Sequence, residues 1–231
     1  IFEKIKTYEN MWFEDFENYT VDTNLYNEGW SENVNIGEDV TFTKQWYNGV
    51  VDGVSVGQIY RGAVDGVNHA TTYDNVNGTH DSIEIYSVIE VNESDAKPCV
   101  LLYGTEQGSS FNALEIEFNY PDNEVSVGTY DNSDYDSLST PAFTFNANTF
   151  YASRVSYVPE TNTLKVKVWE YGNSEPDTFI FDDEFDVIFP IPENEEAYHG
   201  FFGWDNDNIA YYIREVGFGV DGKTAPKSPI P

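Results

Sequence analysis

The chain has 231 residues, 40% of them hydrophobic and 16% aromatic, which is enough to bury the core of one sandwich-sized domain. Its 41 acidic and 11 basic side chains give a formal net charge of −30, so nucleic acids and anionic membrane surfaces are repelled. The longest apolar runs, such as residues 99–103, have the length of a strand, which excludes direct insertion into a membrane by a helix.

Alternating polar and apolar residues recur along the chain at the two-residue period of a half-buried strand. In chain order, the predicted strands are 40–46, 82–91, 113–118, 124–130, 143–145, 150–158 and 163–171. The last two form a predicted β-hairpin around a polar turn. The predicted turn regions, dense in Gly, Asn, Asp and Ser, are 48–57, 65–80, 105–110 and 131–140. Many short strands without a helical apolar stripe favour an all-β, two-sheet sandwich.

The turn regions are too short to separate two domains, so we expect one sandwich domain over residues 12–221. Residues 1–11 form an N-terminal arm in this interpretation. Residues 222–231 contain three prolines and are predicted to be an extended C-terminal tail.

Three stretches of the chain carry a recognisable pattern. Residues 13–30, FEDFENYTVDTNLYNEGW, combine an acidic-aromatic strand, a polar loop and a Gly-Trp pair. The hairpin at 150–171 provides two neighbouring strands, and residues 198–204 with 209–218 provide two closing strands. Together they resemble the concanavalin A-like (LamG-like) superfamily over roughly residues 12–220. The resemblance implies an antiparallel jelly-roll sandwich and an extracellular, glycan-associated role.

Two carboxylates, Glu115 and Glu117, project from one face of a predicted strand whose other face is apolar. Such a pair can act as acid and nucleophile on a bound sugar. The glycanases of this superfamily carry a further acid on the strand, and Asn119 stands where it is expected. The departure disfavours catalysis, and a solvated or ion-binding strand face is the simpler interpretation.

A candidate glycan-binding face centres on Trp169, which alternates with apolar residues on its strand, because sugar rings stack on aromatic faces. The predicted glycan-binding residues are Tyr86, Arg154, Lys165, Lys167 and Trp169. Two alternatives remain open. The aromatic rings pack in the core or at its edge, or the basic residues pair with Glu115, Glu117 or Glu84 across the sheet.

Calcium is the one cofactor that the sequence suggests. The loop at 205–208 packs the oxygen donors that Ca²⁺ prefers, with Asp205 and Asp207 as candidate ligands. The resemblance implies a second calcium site at the opening acidic strand, with Asp15 and Glu17 as weaker candidates. Arg214 stands near the position of the closing aspartate of that site, which argues against it. An ordinary polar turn is the simpler interpretation of each of these clusters.

Three sequons, at Asn18, Asn77 and Asn92, could accept N-glycans in an exported protein. The chain begins at Ile1, as it would after removal of a signal peptide, and we expect a secreted or cell-surface location. The single Cys99 lies in an apolar run and is expected to be a buried thiol.

The favoured function is a non-catalytic glycan-binding or adhesive protein, whose partner is a polysaccharide or another glycan. The first alternative is a structural subunit of an extracellular filament, sheath or surface layer, which assembles with copies of itself through its terminal arms. The second alternative is a glycoside hydrolase or polysaccharide lyase. The HExxH motif, the phosphate-binding loop and the GxSxG nucleophile elbow are all absent from the sequence.

Overall fold

The computed structural model describes residues 6–8, 10–33, 40–47, 54–61, 70–73, 76–91, 97–107, 110–131, 134–184, 197–204 and 210–228. Within these ranges the chain forms sixteen strands in two antiparallel sheets and two single-turn 3₁₀ helices, Leu25–Asn27 and Pro159–Thr161. Neither helix is long enough to cross a membrane. The prediction of an all-β, two-sheet jelly-roll sandwich is confirmed.

Sheet A has nine strands, in the order β1, β2, β16, β7, β12, β13, β14, with β5 and then β4 continuing from β16. Their bounds are β1 Lys6–Tyr8, β2 Met11–Glu14, β4 Val40–Tyr47, β5 Val54–Arg61, β7 Ile83–Val91, β12 Thr149–Val158, β13 Thr163–Glu170, β14 Phe181–Glu184 and β16 Ala210–Val220. The strand β16 pairs with β5 through its first half and with β2 through its second half. The two ends of the domain therefore meet in one sheet.

Sheet B has seven strands, in the order β11, β10, β9, β8, β15, β6, β3. Their bounds are β3 Trp30–Asn33, β6 Ala70–Tyr73, β8 Lys97–Gln107, β9 Ser110–Asn119, β10 Glu124–Asp131, β11 Asp134–Ser139 and β15 Tyr198–Trp204.

The core lies between the two sheets and includes the opening stretch of the resemblance. Trp30 is fully buried, with its ring 5.1 Å from Tyr73 and 6.2 Å from Phe218 between ring centroids. Burial raises the pKa of Glu14 to about 7, although its carboxylate accepts hydrogen bonds from the Phe16 N–H (2.6 Å) and the Tyr19 hydroxyl (2.8 Å). The opening stretch therefore belongs to the folded sandwich rather than to a binding loop.

The predicted hairpin is observed as β12 and β13, because its two alternating runs each bury one side. Several other predictions were wrong. Three predicted turn regions contain strand residues: β5 begins at Val54, β6 spans Ala70–Tyr73 and β8 continues to Gln107. Pairing with neighbouring strands overrides the local turn preference of their Gly, Asn and Asp residues. Residues 143–145 form no strand; Phe143 and Phe145 instead cap the core, 4.8 Å apart between ring centroids, and their N–H groups donate to Asn123. Residues 134–139, predicted as a turn, form β11, since its polar residues pair with β10 at the edge of sheet B.

Candidate functional site

Each sheet presents one side to the core and one side outward, because side chains alternate along a strand. On sheet A, Ile85, Val155 and Val166 point to the core, and the residues directly before and after each of them on its strand point outward. We call the outward side of sheet A face A and that of sheet B face B. The five residues predicted to bind glycans all lie on face A: Tyr86, Arg154, Lys165, Lys167 and Trp169.

Arg154 lies at the centre of face A and is 9% exposed. Its guanidinium carbon is 5.8 Å from the centroid of the Tyr86 ring, which is 6.2 Å from the Trp169 ring. It forms one ion pair with Glu84 across the sheet and a two-pronged one with Glu175, at 3.1 and 3.3 Å. The alternative interpretation, in which the arginine pairs with a carboxylate across the sheet, is therefore observed for Glu84. It was wrong for Glu115 and Glu117, because both lie on β9 of the other sheet.

The chain crosses face A after β16. The turn at Asp221 and Gly222 has positive φ values of 54° and 82° and is closed by the Lys223 N–H, which donates to the carbonyl of the last residue of β16 at 3.2 Å. Residues 223–227, which we call the strap, then lie back over the sheet. Ala225 of the strap is 1% exposed and packs in an apolar cluster of face A that includes Trp169. The predicted tail thus lies on the sandwich over its described part.

Side chains of face A hold the backbone of the strap. The Ala225 N–H donates to Glu84 Oε1 at 2.9 Å, and Arg154 Nη1 donates to the Ala225 carbonyl at 3.1 Å. Two glycines of β16 leave room for it. A Cβ atom on Gly217 or Gly219 would lie 2.1 or 2.3 Å from a carbonyl oxygen of the strap. Any larger residue there would collide with the strap.

Glu175, in the loop after β13, links the strap to the sheet. It accepts hydrogen bonds from Lys227 of the strap at 2.8 Å, from Lys167 at 3.2 Å and from Arg154. Burial would raise the pKa of the Glu175 carboxyl, but the hydrogen bonds from these three cations outweigh it and lower the pKa to about 2.

The margin of face A is more open. Lys165 pairs with Asp182 at 3.1 Å, and the ammonium groups of Lys165 and Lys167 lie 5.2 and 4.8 Å from the centroid of the Phe179 ring. Phe179 is 38% exposed. Face A therefore brings the five predicted residues together, but groups of the chain itself occupy most of their polar atoms.

Face B carries the predicted carboxylate pair. Glu115 and Glu117 point outward from β9, as predicted, and are 1% and 8% exposed. The Cys99 thiol donates to Glu115 Oε1 at 3.1 Å, and Lys97 Nζ lies 3.3 Å from Glu117 Oε1. Burial raises the pKa of Glu117 although Lys97 lowers it. Asn119, in the position of the missing acid, instead ties down the turn after β9 through two hydrogen bonds with the residue at 122.

An exposed aromatic residue of face B escaped the sequence interpretation. Tyr135 of β11 is 44% exposed, and its ring lies over Gly128, where a Cβ atom would be 2.4 Å from the ring. The ring centroid is 5.1 Å from that of Tyr130. Gly128 pairs with Glu115 across β10 and β9, so the ring that covers this glycine lies beside that carboxylate. Burial raises the pKa of the Tyr135 hydroxyl, and the charges of Glu115 and Glu117 raise it further. The glycine inside a strand was the one sequence signal for this close approach.

Among the described residues, Cys99, Glu115 and Glu117 form the one group whose potential metal ligands converge, within 4.8 Å of one another. A thiol whose pKa is raised by burial and by Glu115 does not fit Ca²⁺, which takes six to eight oxygen ligands. The candidate ligands Asp205 and Asp207 lie outside the described residues. Asp15 Oδ1 accepts a hydrogen bond from the Glu17 N–H at 3.1 Å, as in a polar turn.

The sequons differ in accessibility. Asn18 is exposed in the loop after β2. Asn77 is half-buried, with its Oδ1 atom shielded from solvent. Asn92 lies outside the described residues.

The two stacked sheets and their strand order define a protein of the concanavalin A-like, legume-lectin-like β-sandwich fold. The structure is similar to the lectin UEA-II solved with galactose, with a TM-score of 0.58, 12% identity, and coverage of 92% of this chain and 99% of that one. It is also similar to the potassium-bound carbohydrate recognition domain of Emp46p, with a TM-score of 0.56, 13% identity, and coverage of 90% and 96%.

A third similar structure is the carbohydrate-binding module CBM66 from Bacillus subtilis, with a TM-score of 0.50, 12% identity, and coverage of 81% of this chain and 94% of the module. No protein-family model matches the sequence, and no curated protein matches it. At these identities the similarity establishes the fold, and the predicted resemblance is confirmed at that level.

Proposed function

We propose that the chain is a non-catalytic, glycan-binding or adhesive β-sandwich protein of the extracellular space or cell surface, and that it binds sugar on face B. The observation that supports this proposal most is Tyr135, an aromatic ring 44% exposed that covers Gly128, the β10 partner of the buried Glu115. Such a ring gives the C–H face of a sugar an apolar platform, and the polar groups around it fix the orientation of the sugar.

The polar part of the proposed site comprises Glu117 and Lys97. The Glu117 carboxylate can accept hydrogen bonds from sugar hydroxyls, and the Lys97 ammonium group can donate one to a sugar oxygen. Their ion pair, at 3.3 Å, holds both groups in place before the ligand arrives. Glu115 lies deeper, accepts a hydrogen bond from the Cys99 thiol, and supports the site from below.

A glycan-binding assay with a matched control tests the proposal. Tyr135→Ala should weaken binding to the preferred glycan of an array at least about tenfold, by analogy with nucleic-acid complexes, where one aromatic stacking partner contributes on the order of 1–3 kcal/mol. Phe179→Ala removes a similarly exposed ring from face A, 38% against 44%, and should leave binding unchanged. Equal losses in the two variants, or no binding of the wild type across the array, would sink the proposal.

A glycoside hydrolase or polysaccharide lyase is the second candidate, favoured by one observation. One oxygen of Glu115 and one of Glu117 lie within 4.8 Å of each other, close to the separation of about 5–5.5 Å between the carboxyl groups of retaining glycosidases. Release of reducing ends or unsaturated products from a polysaccharide panel, lost in Glu115→Gln, would establish this function in place of binding alone.

A further inference from the structure

Face A has the features of a groove that binds an extended peptide. Each polar atom of the Ala225 backbone meets a side chain of the sheet, because its N–H donates to Glu84 at 2.9 Å and its carbonyl accepts from Arg154 at 3.1 Å. Recognition of backbone groups by fixed side chains is independent of the residue that carries them. The groove therefore selects an extended segment with a small residue at this point.

The floor of the groove is shaped for a backbone rather than for side chains. Gly217 and Gly219 lie where the strap passes, and a Cβ atom on either would lie 2.1 or 2.3 Å from strap oxygens. Beside them, Ala225 enters an apolar cluster with Tyr86 and Trp169. Shape and polarity thus both match the strap.

Charge favours the same occupant in a second molecule. The strap carries Lys223 and Lys227 and no acidic residue, whereas the chain as a whole has a net charge of −30. Glu175 receives Lys227 at 2.8 Å at the end of the groove. The groove itself mixes acidic and basic groups, so the complementarity acts at long range: the acidic surface of one copy attracts the basic strap of another.

We propose that the groove of face A is a peptide-binding site whose partner is a second copy of this chain, through exchange of residues 223–227. The turn at Asp221 and Gly222 lets the strap fill its own groove, so a copy whose strap stays seated is closed to exchange. Exchange of identical elements uses the contacts already present in the single chain. The expectation that terminal arms mediate assembly thereby acquires a defined docking surface.

Two complementary full-length variants test this proposal. Ala225→Trp prevents a chain from seating its own strap and leaves its groove open. The double variant Gly217→Val and Gly219→Val blocks the groove and leaves the strap intact. Each variant alone should sediment as a monomer, and an equimolar mixture should form a one-to-one heterodimer.

A synthetic peptide of residues 222–231 serves as a second probe if the valine variant does not fold. It should bind the Ala225→Trp chain at least about tenfold more tightly than the wild type, whose own strap reduces the fraction of open grooves. The same peptide with tryptophan in place of Ala225 should not bind. Folded variants that stay monomeric on mixing would overturn the proposal, and so would a peptide that binds both chains equally.

Discussion

The two outward faces of this sandwich differ in what occupies their polar groups. On face A, Arg154 is 9% exposed and its partners are Glu84, Glu175 and the strap, all from the same chain. On face B, an exposed Tyr135 lies beside Glu117, which pairs with one half-exposed lysine, and Glu115, which accepts a hydrogen bond from the Cys99 thiol. The comparison indicates that face A contributes mainly to stability, whereas face B keeps the features of a ligand site.

The largest expected difference concerns the two cations. Arg154→Met removes the cation that pairs with Glu84 and one of the three that hold Glu175, and it should lower the free energy of unfolding by about 3–5 kcal/mol. Lys97→Met removes the half-exposed cation of one buried carboxylate on face B and should cost less, about 1–3 kcal/mol. Chemical denaturation of both variants measures the difference, and similar losses would break the distinction between the faces.

Truncation of the two aromatic residues should separate stability from binding. Trp169 is 8% exposed in the apolar cluster of face A, so Trp169→Ala should cost about 3 kcal/mol of stability, as for other buried large residues. Tyr135→Ala should cost less than about 1 kcal/mol, because much of the ring is already exposed. Thermal and denaturant unfolding test this, and the opposite order of losses would contradict it.

The two faces should respond to pH in opposite directions. The pKa of Glu175 is lowered from 4.5 to about 2, so its contribution to stability is present above pH 4.5 and is lost as the pH falls toward 2. The pKa of Glu117 is raised above 4.5, so its contribution is present below pH 4.5 and is lost as the pH rises through the folded-state pKa. Unfolding curves of Glu175→Gln and Glu117→Gln across pH should each lack one of these slopes.

The smallest expected effect compares two strand glycines. A Cβ atom on Gly217 meets strap backbone, which must shift, so Gly217→Ala should cost about 1 kcal/mol. A Cβ atom on Gly128 meets only the Tyr135 ring, which can rotate away. Gly128→Ala changes the backbone preference of a strand residue in the same way as Gly217→Ala, so it should cost only a few tenths of a kcal/mol. It should still weaken glycan binding, because the ring leaves its position. Unchanged glycan binding by Gly128→Ala would show that the position of the Tyr135 ring does not matter for the site.

Local periodicity was sufficient to predict much of the sandwich. The hairpin of β12 and β13 and the outward position of Glu115 and Glu117 follow from two-residue alternation, which needs no knowledge of distant contacts. The strand β11 was missed, because an edge strand has few buried residues and its Asp and Ser content is typical of turns.

The occupancy of face A could not be predicted from local sequence. It depends on the approach of the strap to Gly217 and on hydrogen bonds between Arg154 and Ala225, which are 71 residues apart in the chain. The five residues predicted to bind glycans were correctly placed on one face, and whether they bind a glycan stays a prediction. Tyr135 was overlooked because its position depends on a contact with Gly128 of the neighbouring strand, where the missing side chain leaves room for the ring.

Hydroxyl-radical footprinting of the wild-type protein, with and without a saturating glycan, tests the central claim most directly. Without glycan, Tyr135 should react and Trp169 should be protected, in keeping with their exposures of 44% and 8%. On addition of glycan, the account predicts strong protection of Tyr135 and no change at Trp169. Protection of Tyr86 and Trp169 by glycan, with Tyr135 still reactive, would contradict it and would assign the binding site to face A.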